Sequence, residues 1–356
     1  MGRAVELRPG AEGNRLSEPI EPGLREEEIR PHDLLSGQAE RYQADIRWLL
    51  DRRRQFVSVT CPACGSGRAE RAFQKYELDY VRCTPCETLY VTPRPSPALL
   101  KSYYLRSENY AYWNKHIFPA SEDARREKIF KPRVARVLDL CRQHGVKTGT
   151  LLEIGAAFGT FGQEVQRTGA FGRIVAVEPT PDLARTCRAR GLEVLEAPVE
   201  ELDPAGLEAD VVVAFEVIEH LFSPASFLDQ CRRLLAPGGM LVLTCPNVKG
   251  FDIEILQALS SAVDTEHLNY FHPRSLKGLL ARCGYEPLGV ETPGQLDAEL
   301  VRQKALSGEI DLSSRPFLRR VLLEEWEGLG GRFQRFLADS GFSSHMWAAG
   351  RKATTC

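Results

Sequence analysis

Glu216, Glu219 and His220 stand in the stretch Phe215-Glu-Val-Ile-Glu-His-Leu221, directly after the apolar run Asp210-Val-Val-Val-Ala214. Two carboxylates and an imidazole at the end of a strand that reads as fully buried leave two readings: the chain has reached solvent, or the strand end holds a site for proton transfer or ligand binding. A second group lies upstream. Glu153 opens the loop Glu153-Ile-Gly-Ala-Ala-Phe-Gly159 after an apolar run, and Glu178 closes the run Ile174–Val177, nineteen residues beyond Gly159. Small residues in such a turn let a ligand approach the first strand's backbone, and an acid ending the second strand binds ribose hydroxyls. The loop is not the G-x-G-x-x-G of dinucleotide binders and lacks the Lys-Ser/Thr of a P-loop. Its leading Glu153 would repel a pyrophosphate and suits a cationic ligand.

A third group is made of thiols. Cys61-Pro-Ala-Cys64-Gly is followed, after eighteen residues, by Cys83-Thr-Pro-Cys86. Two C-x-x-C knuckles at this separation close a tetrahedral four-thiolate site, the arrangement structural zinc prefers. Redox thiols or an iron–sulfur cluster are the alternatives, but a segment too small for its own core favours zinc. With four ligands no position stays open, so the expected role is structural. Gly65 suits the tight turn after the first knuckle. Glu87 stands at the matching place in the second, a departure expected to weaken its hydrogen bonding to sulfur. The other six cysteines (Cys141, Cys187, Cys231, Cys245, Cys283 and Cys356) read as reduced thiols, several of them packed in the core.

The elements that must position these groups alternate. Leu151–Ile154, Ile174–Val177, Val194–Leu195, Val211–Ala214 and Met240–Thr244 are short runs rich in Val, Ile and Leu. Helical patterns such as Asp182–Arg190, Ala225–Leu235 and Ser275–Cys283 separate most of them. This pattern predicts an α/β fold with a parallel sheet covered on both faces. Two further strands, near Tyr285–Glu291 and His345–Gly350, flank a helical insert over 294–342, far longer than an ordinary loop and expected to cap the site. Ahead of the sheet we expect a mobile tail (1–32), a helix (33–56) ending in Arg52-Arg53-Arg54, the four-cysteine ribbon (57–97) and an aromatic, helical lead-in (98–147). Residues 148–356 complete the sheet domain.

Composition excludes several classes. The 356 residues carry a net charge of -2 with 26% charged and 43% hydrophobic residues, which argues against a broad nucleic-acid surface. The ribbon itself, with five basic and four acidic residues between 61 and 100, has no electrostatic footprint for RNA. Its aromatics (Phe73, Tyr76, Tyr80, Tyr90) are expected to pack its own core or the neighbouring domain. No run approaches a membrane span and the first residues lack a signal-peptide core, so a cytoplasmic location is expected.

Taken together, these motifs resemble the class I S-adenosylmethionine-dependent methyltransferases. Their E/D-x-G-x-G-x-G loop is matched at Glu153, Gly155 and Gly159, with Ala157 replacing the middle glycine. The later motifs match at Phe215–Leu221, Leu235-Ala-Pro-Gly-Gly239, Thr244-Cys-Pro-Asn247 and Glu266-His-Leu-Asn-Tyr-Phe271. The resemblance implies a Rossmann-like, doubly wound, seven-stranded sheet with the last strand antiparallel. It also implies S-adenosylmethionine as cofactor, Glu178 on its ribose, and Ala197-Pro-Val199-Glu200 near its adenine. Glu153, Gly155, Ala157, Gly159, Phe215 and Glu216 would complete the cofactor site. The cysteine ribbon followed by Pro93-Arg-Pro-Ser96 and a Tyr/Trp-rich lead-in is similar to zinc-ribbon methyltransferases of sugar, polysaccharide and natural-product biosynthesis. A small-molecule substrate follows, a sugar or sugar nucleotide, with no nucleic-acid partner.

Methyl transfer from a sulfonium is an in-line displacement that needs alignment, exclusion of water and, for a hydroxyl acceptor, loss of a proton. His220, Glu219 and His267 are the candidate catalytic residues. Each has an alternative role: Glu219 and His220 could order their loop, and His267 could be a structural loop histidine. His272, before Pro273, reads as a turn residue. Tyr104, Tyr110 and Trp113 could close over a sulfonium or pack the ribbon on the core; Trp326, Phe333 and Phe336 read as core of the cap. Two other functions stay open: methylation of ribosomal RNA, against which the absence of an N/D-P-P-Y motif counts, and cofactor binding without turnover.

Overall fold

A computed structural model of the chain describes residues 23–353. Its centre is a mixed sheet of seven strands: β1 (Thr150–Ile154), β2 (Arg173–Val177), β3 (Glu193–Leu195), β4 (Ala209–Phe215), β5 (Leu235–Pro246), β6 (Tyr285–Glu291) and β7 (His345–Lys352). Their order across the sheet is β6-β7-β5-β4-β1-β2-β3. Strands β1 to β5 are parallel, and β7 runs antiparallel between β5 and β6. The fold is therefore the α/β sheet covered on both faces that the run-and-helix alternation predicts, with the seven strands, Rossmann-like winding and antiparallel last strand that the resemblance implies.

The apolar runs are continuous because both faces are covered. On β4, Val211 and Val213 enter one buried cluster with Val134, Val137 and Phe161, whereas Val212 and Ala214 enter the other with Phe227, Leu228 and Leu276. Strand β5 is longer than the expected Met240–Thr244. It starts at Leu235, and the Ala236–Gly239 turn is absorbed as a register shift against β4 between Leu235 and Met240.

The amino-terminal segments are bound into this body. Helix His32–Leu50 packs beside the lead-in helices Pro97–Arg106 and Glu108–Tyr112. The lead-in then continues as helix to His144, with π-helical turns at Trp113–Ile117 and Arg126–Phe130. The ribbon strands Ala69–Lys75, Leu78–Cys83 and Leu89–Val91 form a sheet whose fourth strand, Asn269–Tyr270, comes from the crossover after β5. Its aromatics divide accordingly. Tyr80 and Tyr90 are buried, Phe73 stacks on Tyr80 at 4.9 Å, and Tyr76 meets Tyr42 edge-on.

Two expectations are corrected or narrowed here. Residues 1–22 of the expected tail lie outside the described residues, as does Cys356, but Glu26–Ile29 is helical and Ile29 is buried. That turn is held by Lys128 to Glu28 at 2.6 Å and by Arg125 donating to the Ile29 carbonyl. Phe336 is 55% exposed and lies outside the insert's core, which gathers Trp326 and Phe333 with Val301, Leu322 and Leu337. Among the described residues no helix is long and apolar enough to cross a membrane.

One buried charge ties the first helix to the lead-in. Asp45 is fully buried and accepts from Ser107 Oγ at 2.6 Å and from the N–H groups of Asn109 and Glu108 at 3.0 and 3.2 Å. It therefore caps helix Glu108–Tyr112 from a distant element. Asp45→Ala strands those donors, and we expect a loss of about 2–4 kcal/mol in urea unfolding.

Candidate functional site

Strand order reverses between β1 and β4, and a ligand crevice opens at the carboxyl ends of strands at such a point. A cavity of about 1630 Å³ lies there. Its floor comes from β1, β2 and β4 and their following loops, its far wall from Tyr104, Tyr110 and Trp113 of the lead-in, and part of its rim from Gly294–Asp297 of the insert.

The glycine loop is folded by positive-φ residues. Gly155 has φ +74° and donates to the Val177 carbonyl at 2.9 Å; a Cβ there would meet Val217 at 2.7 Å. Gly159, φ +76°, starts helix Thr160–Thr168, and a Cβ would press on Cys187 and Leu192 at 3.0 Å. Ala157 takes φ +46° between them, a conformation that disfavours a side chain. Its N–H donates to Glu178 Oε2 at 2.9 Å, while Thr180 N–H donates to Oε1 at 2.9 Å. Burial pushes the Glu178 carboxyl up, and these two N–H bonds oppose that. Glu178 lines the cavity. Val199 is buried and lines the same cavity.

Glu153, on β1, is buried and lines the cavity, and its Oε2 has no hydrogen-bond partner. Burial, opposed by Arg133 and reinforced by Glu178, pushes its carboxyl up to about 8. Glu216 follows β4 with φ +55°; its Oε1 accepts from Thr244 Oγ1 at 2.5 Å and from Arg133 at 3.3 Å. Burial works to raise the Glu216 carboxyl, but His345 and Arg133 beside it hold it below the ordinary range. The Arg133 guanidinium also lies 4.7 Å from the centre of the Phe215 ring.

Glu219, His220 and His267 are brought together, with candidate ligand atoms within 4.8 Å of one another. The two imidazoles meet edge to face at 4.6 Å. Glu219 is fully buried with both oxygens unpartnered, and burial, then the Glu216 charge, pushes its carboxyl far up. Burial, then the neighbouring His267, pushes the His220 imidazole well below its ordinary range. His272 caps helix Pro273–Arg282 and bonds through Nε2 to the Cys86 carbonyl at 2.8 Å, outside this cavity.

Sequence reasoning passed over Arg133 and His345, since a lone arginine in a helix and a histidine opening the last strand carry no motif. It also gave no role to Glu266, which is buried on the cavity wall and accepts from Tyr103 Oη at 2.7 Å. The three belong to elements far apart in the chain.

The cysteine cluster lies apart from this cavity, whose lining includes none of its four residues. Cys61 and Cys86 Sγ are 3.5 Å apart, as are Cys64 and Cys83, all four are free thiols, and all four lie within 4.8 Å of one another. The two knuckles fold alike. Gly65 N–H donates to Cys61 O and Glu87 N–H to Cys83 O, both at 2.8 Å, with φ +75° and +59°. Glu87 therefore takes the glycine's conformation despite its Cβ, and its carboxylate is held by Lys249 at 2.7 Å.

Residues 123–290 match a family profile described as a methyltransferase domain. A ubiquinone biosynthesis O-methyltransferase from Cereibacter sphaeroides is 34% identical over 150 residues, 39% of this chain and 60% of the relative. One of the same name from Dinoroseobacter shibae is 31% identical over 186 residues, 49% of this chain and 74% of the relative. The chain thus spans less than two thirds of the first of these. Among solved structures, the 1,6-didemethyltoxoflavin-N1-methyltransferase of Burkholderia thailandensis, with S-adenosylhomocysteine bound, is 14% identical with a TM-score of 0.46 over 80% of this chain and all of that one.

Glu153 supplies a test of the cavity's electrostatics. Its folded-state value near 8 lies above the ordinary 4.5, so the folded protein binds more protons than the unfolded chain between those values. Stability of the ligand-free protein then falls as pH rises through that window. Glu153→Gln should flatten this part of the stability–pH curve in urea melts between pH 5 and about 8.

Proposed function

The chain belongs to the S-adenosylmethionine-dependent methyltransferase family, and we propose that it moves the cofactor's methyl group to a hydroxyl of a small ring compound. The observation that carries this reading is the cavity at the β1–β4 reversal, which carboxylates line beside a small-residue, positive-φ turn at Gly155, Ala157 and Gly159. Glu178 would bind the ribose hydroxyls with the lone pairs its two backbone donors leave free. Gly155, Ala157 and Gly159 would let the cofactor lie against the β1 turn, and Val199 would pack its adenine. Glu153, Phe215 and Glu216 would face its cationic end, the carboxylates by charge and the ring by its π face. When bound, the cofactor supplies an activated methyl carbon, and the protein's work is alignment and removal of one proton.

The relatives named ubiquinone biosynthesis O-methyltransferase favour an oxygen acceptor. The aromatic wall of Tyr104, Tyr110 and Trp113 suits a ring, whether a sugar's C–H face or a phenol. Glu219, His220 and His267 lie beside that wall and would take up the hydroxyl's proton. The domain reading is compatible with this packing: in it the helix (33–56) and the lead-in (98–147) would supply the second wall of the pocket, and the sheet domain from 148 onward the cofactor floor.

The four thiols fit zinc: a tetrahedral site with bonds of about 2.3 Å sets sulfurs about 3.8 Å apart, close to the 3.5 Å of the two pairs. Zinc held by Cys61, Cys64, Cys83 and Cys86 would be a structural crosslink. It would fix the ribbon against the helix after Pro273, where Arg282 donates to the Ala63 carbonyl and His272 to that of Cys86.

Isothermal calorimetry with S-adenosylhomocysteine and transfer of labelled methyl to pools of sugar nucleotides and of phenols test the reading. We expect binding that Glu178→Ala weakens at least about tenfold, the loss of roughly one charge-assisted pair of hydrogen bonds. Binding unchanged in Glu178→Ala would overturn the cofactor assignment. A thiol-reactive zinc release assay should yield one zinc per chain, with a lowered melting temperature afterwards.

A further inference from the structure

Glu219, His220 and His267 present a set of polar atoms that the folded chain leaves unused. Glu219 is fully buried and neither oxygen has a partner; His220 Nδ1 is likewise buried and unpartnered. His267 Nδ1 lies 2.8 Å from the Ala262 carbonyl, which can only accept, so Nδ1 carries the hydrogen and Nε2 keeps its lone pair. A histidine whose far nitrogen donates to a backbone carbonyl is the arrangement that orients an imidazole for metal ligation.

The set is rigid. Glu219 O accepts from Leu268 N–H at 2.8 Å. The Asn269 side-chain amide donates to the carbonyls of Glu219 and Leu221 at 3.2 and 2.8 Å, and its oxygen accepts from buried Arg94 at 2.9 Å. The turn carrying Glu219 and His220 is thereby clipped to the crossover carrying His267, which fixes the three side chains relative to one another. An orphaned carboxylate and an orphaned imidazole nitrogen at one buried place are each costly to leave unmet. A divalent cation would satisfy all three atoms at once.

We propose that Glu219, His220 and His267 bind one divalent first-row metal ion at the acceptor end of the cavity, distinct from the four-thiolate site. Two imidazoles and one carboxylate suit Mn²⁺, Fe²⁺, Co²⁺ or Zn²⁺ better than Mg²⁺ or Ca²⁺, which favour all-oxygen cages. Three protein ligands leave positions open for the oxygen of a bound acceptor. The inference rests on the methyl-transfer reading and narrows its acceptor to a hydroxyl that can bind a metal. With the three side chains ligating the metal, they no longer take up the proton themselves, and the metal-bound hydroxyl releases it to solvent. Its oxygen then forms the new O–C bond as the C–S bond breaks, the electron pair stays on sulfur, and a methyl ether and S-adenosylhomocysteine result.

Mn²⁺ is the probe, since it discriminates against the thiolate site. Full-length protein with its ribbon metal in place is titrated with Mn²⁺ and followed by electron paramagnetic resonance. One site per chain is expected, with affinity lowered at least about tenfold in Glu219→Gln and in His267→Ala, in keeping with loss of one ligand. Metal-free melting temperatures control for folding, and zinc content should be unchanged in both variants. No Mn²⁺ binding up to millimolar concentration, or binding equal in wild type and both variants, overturns the proposal. S-adenosylhomocysteine affinity, measured in parallel, reports separately on the methyltransferase reading: its loss with Mn²⁺ binding intact would leave the metal site standing without that role.

Discussion

Carboxyl groups gathered and buried around one cavity are the constraint on which this molecule turns. Glu153, Glu178, Glu216, Glu219 and Glu266 converge around the carboxyl ends of β1, β2 and β4, and burial raises four of them above the ordinary range. Only Glu216 is held down, by His345 and Arg133. Burial and mutual proximity disfavour the ionised forms of these carboxyls, and Arg133 offsets that at Glu153 and Glu216. Such a site suits cationic ligands, and the proposed sulfonium cofactor at one end and divalent metal at the other would both relieve the crowding of acids.

The rest of the architecture holds these groups in register. The parallel sheet ends its strands together at one edge, so acids separated by more than sixty residues, such as Glu153 and Glu216, face one space. The lead-in helix supplies the opposite wall and the countercharge. Glu122 bridges Arg126 and Arg190 at 2.5 and 2.6 Å, fastening the lead-in to the segment after β2, and Arg133 reaches over Phe215. The ribbon, stitched to the crossover through Asn269–Tyr270, steadies the segment that carries His267.

Much of the sheet was legible in the chain because buried parallel strands write uninterrupted Val/Ile/Leu runs. The strand expected near Tyr285–Glu291 is found there. The β5 start was not legible, since a bulged Ala-Pro-Gly-Gly turn looks like a loop and is accommodated only by pairing with β4. At the site, Glu153, Glu178 and Glu216 were visible through their fixed spacing from strands. Arg133 and His345 were not, because what matters about them is the charge they face across the fold. The ribbon's second knuckle taught a similar lesson: Glu87 departs from glycine in sequence yet takes the same left-handed turn, held by Lys249 from another element.

Hydrogen exchange with and without S-adenosylhomocysteine tests the central claim most directly, because it reads the backbone of the pocket and not one side chain. The account predicts slowed exchange over 153–159, around Glu178 and Thr180, and in the lead-in helix near Tyr104–Trp113, with the far ends of β6 and β7 unchanged. Protection confined to the ribbon or the insert, with the β1 loop unaffected, would contradict it.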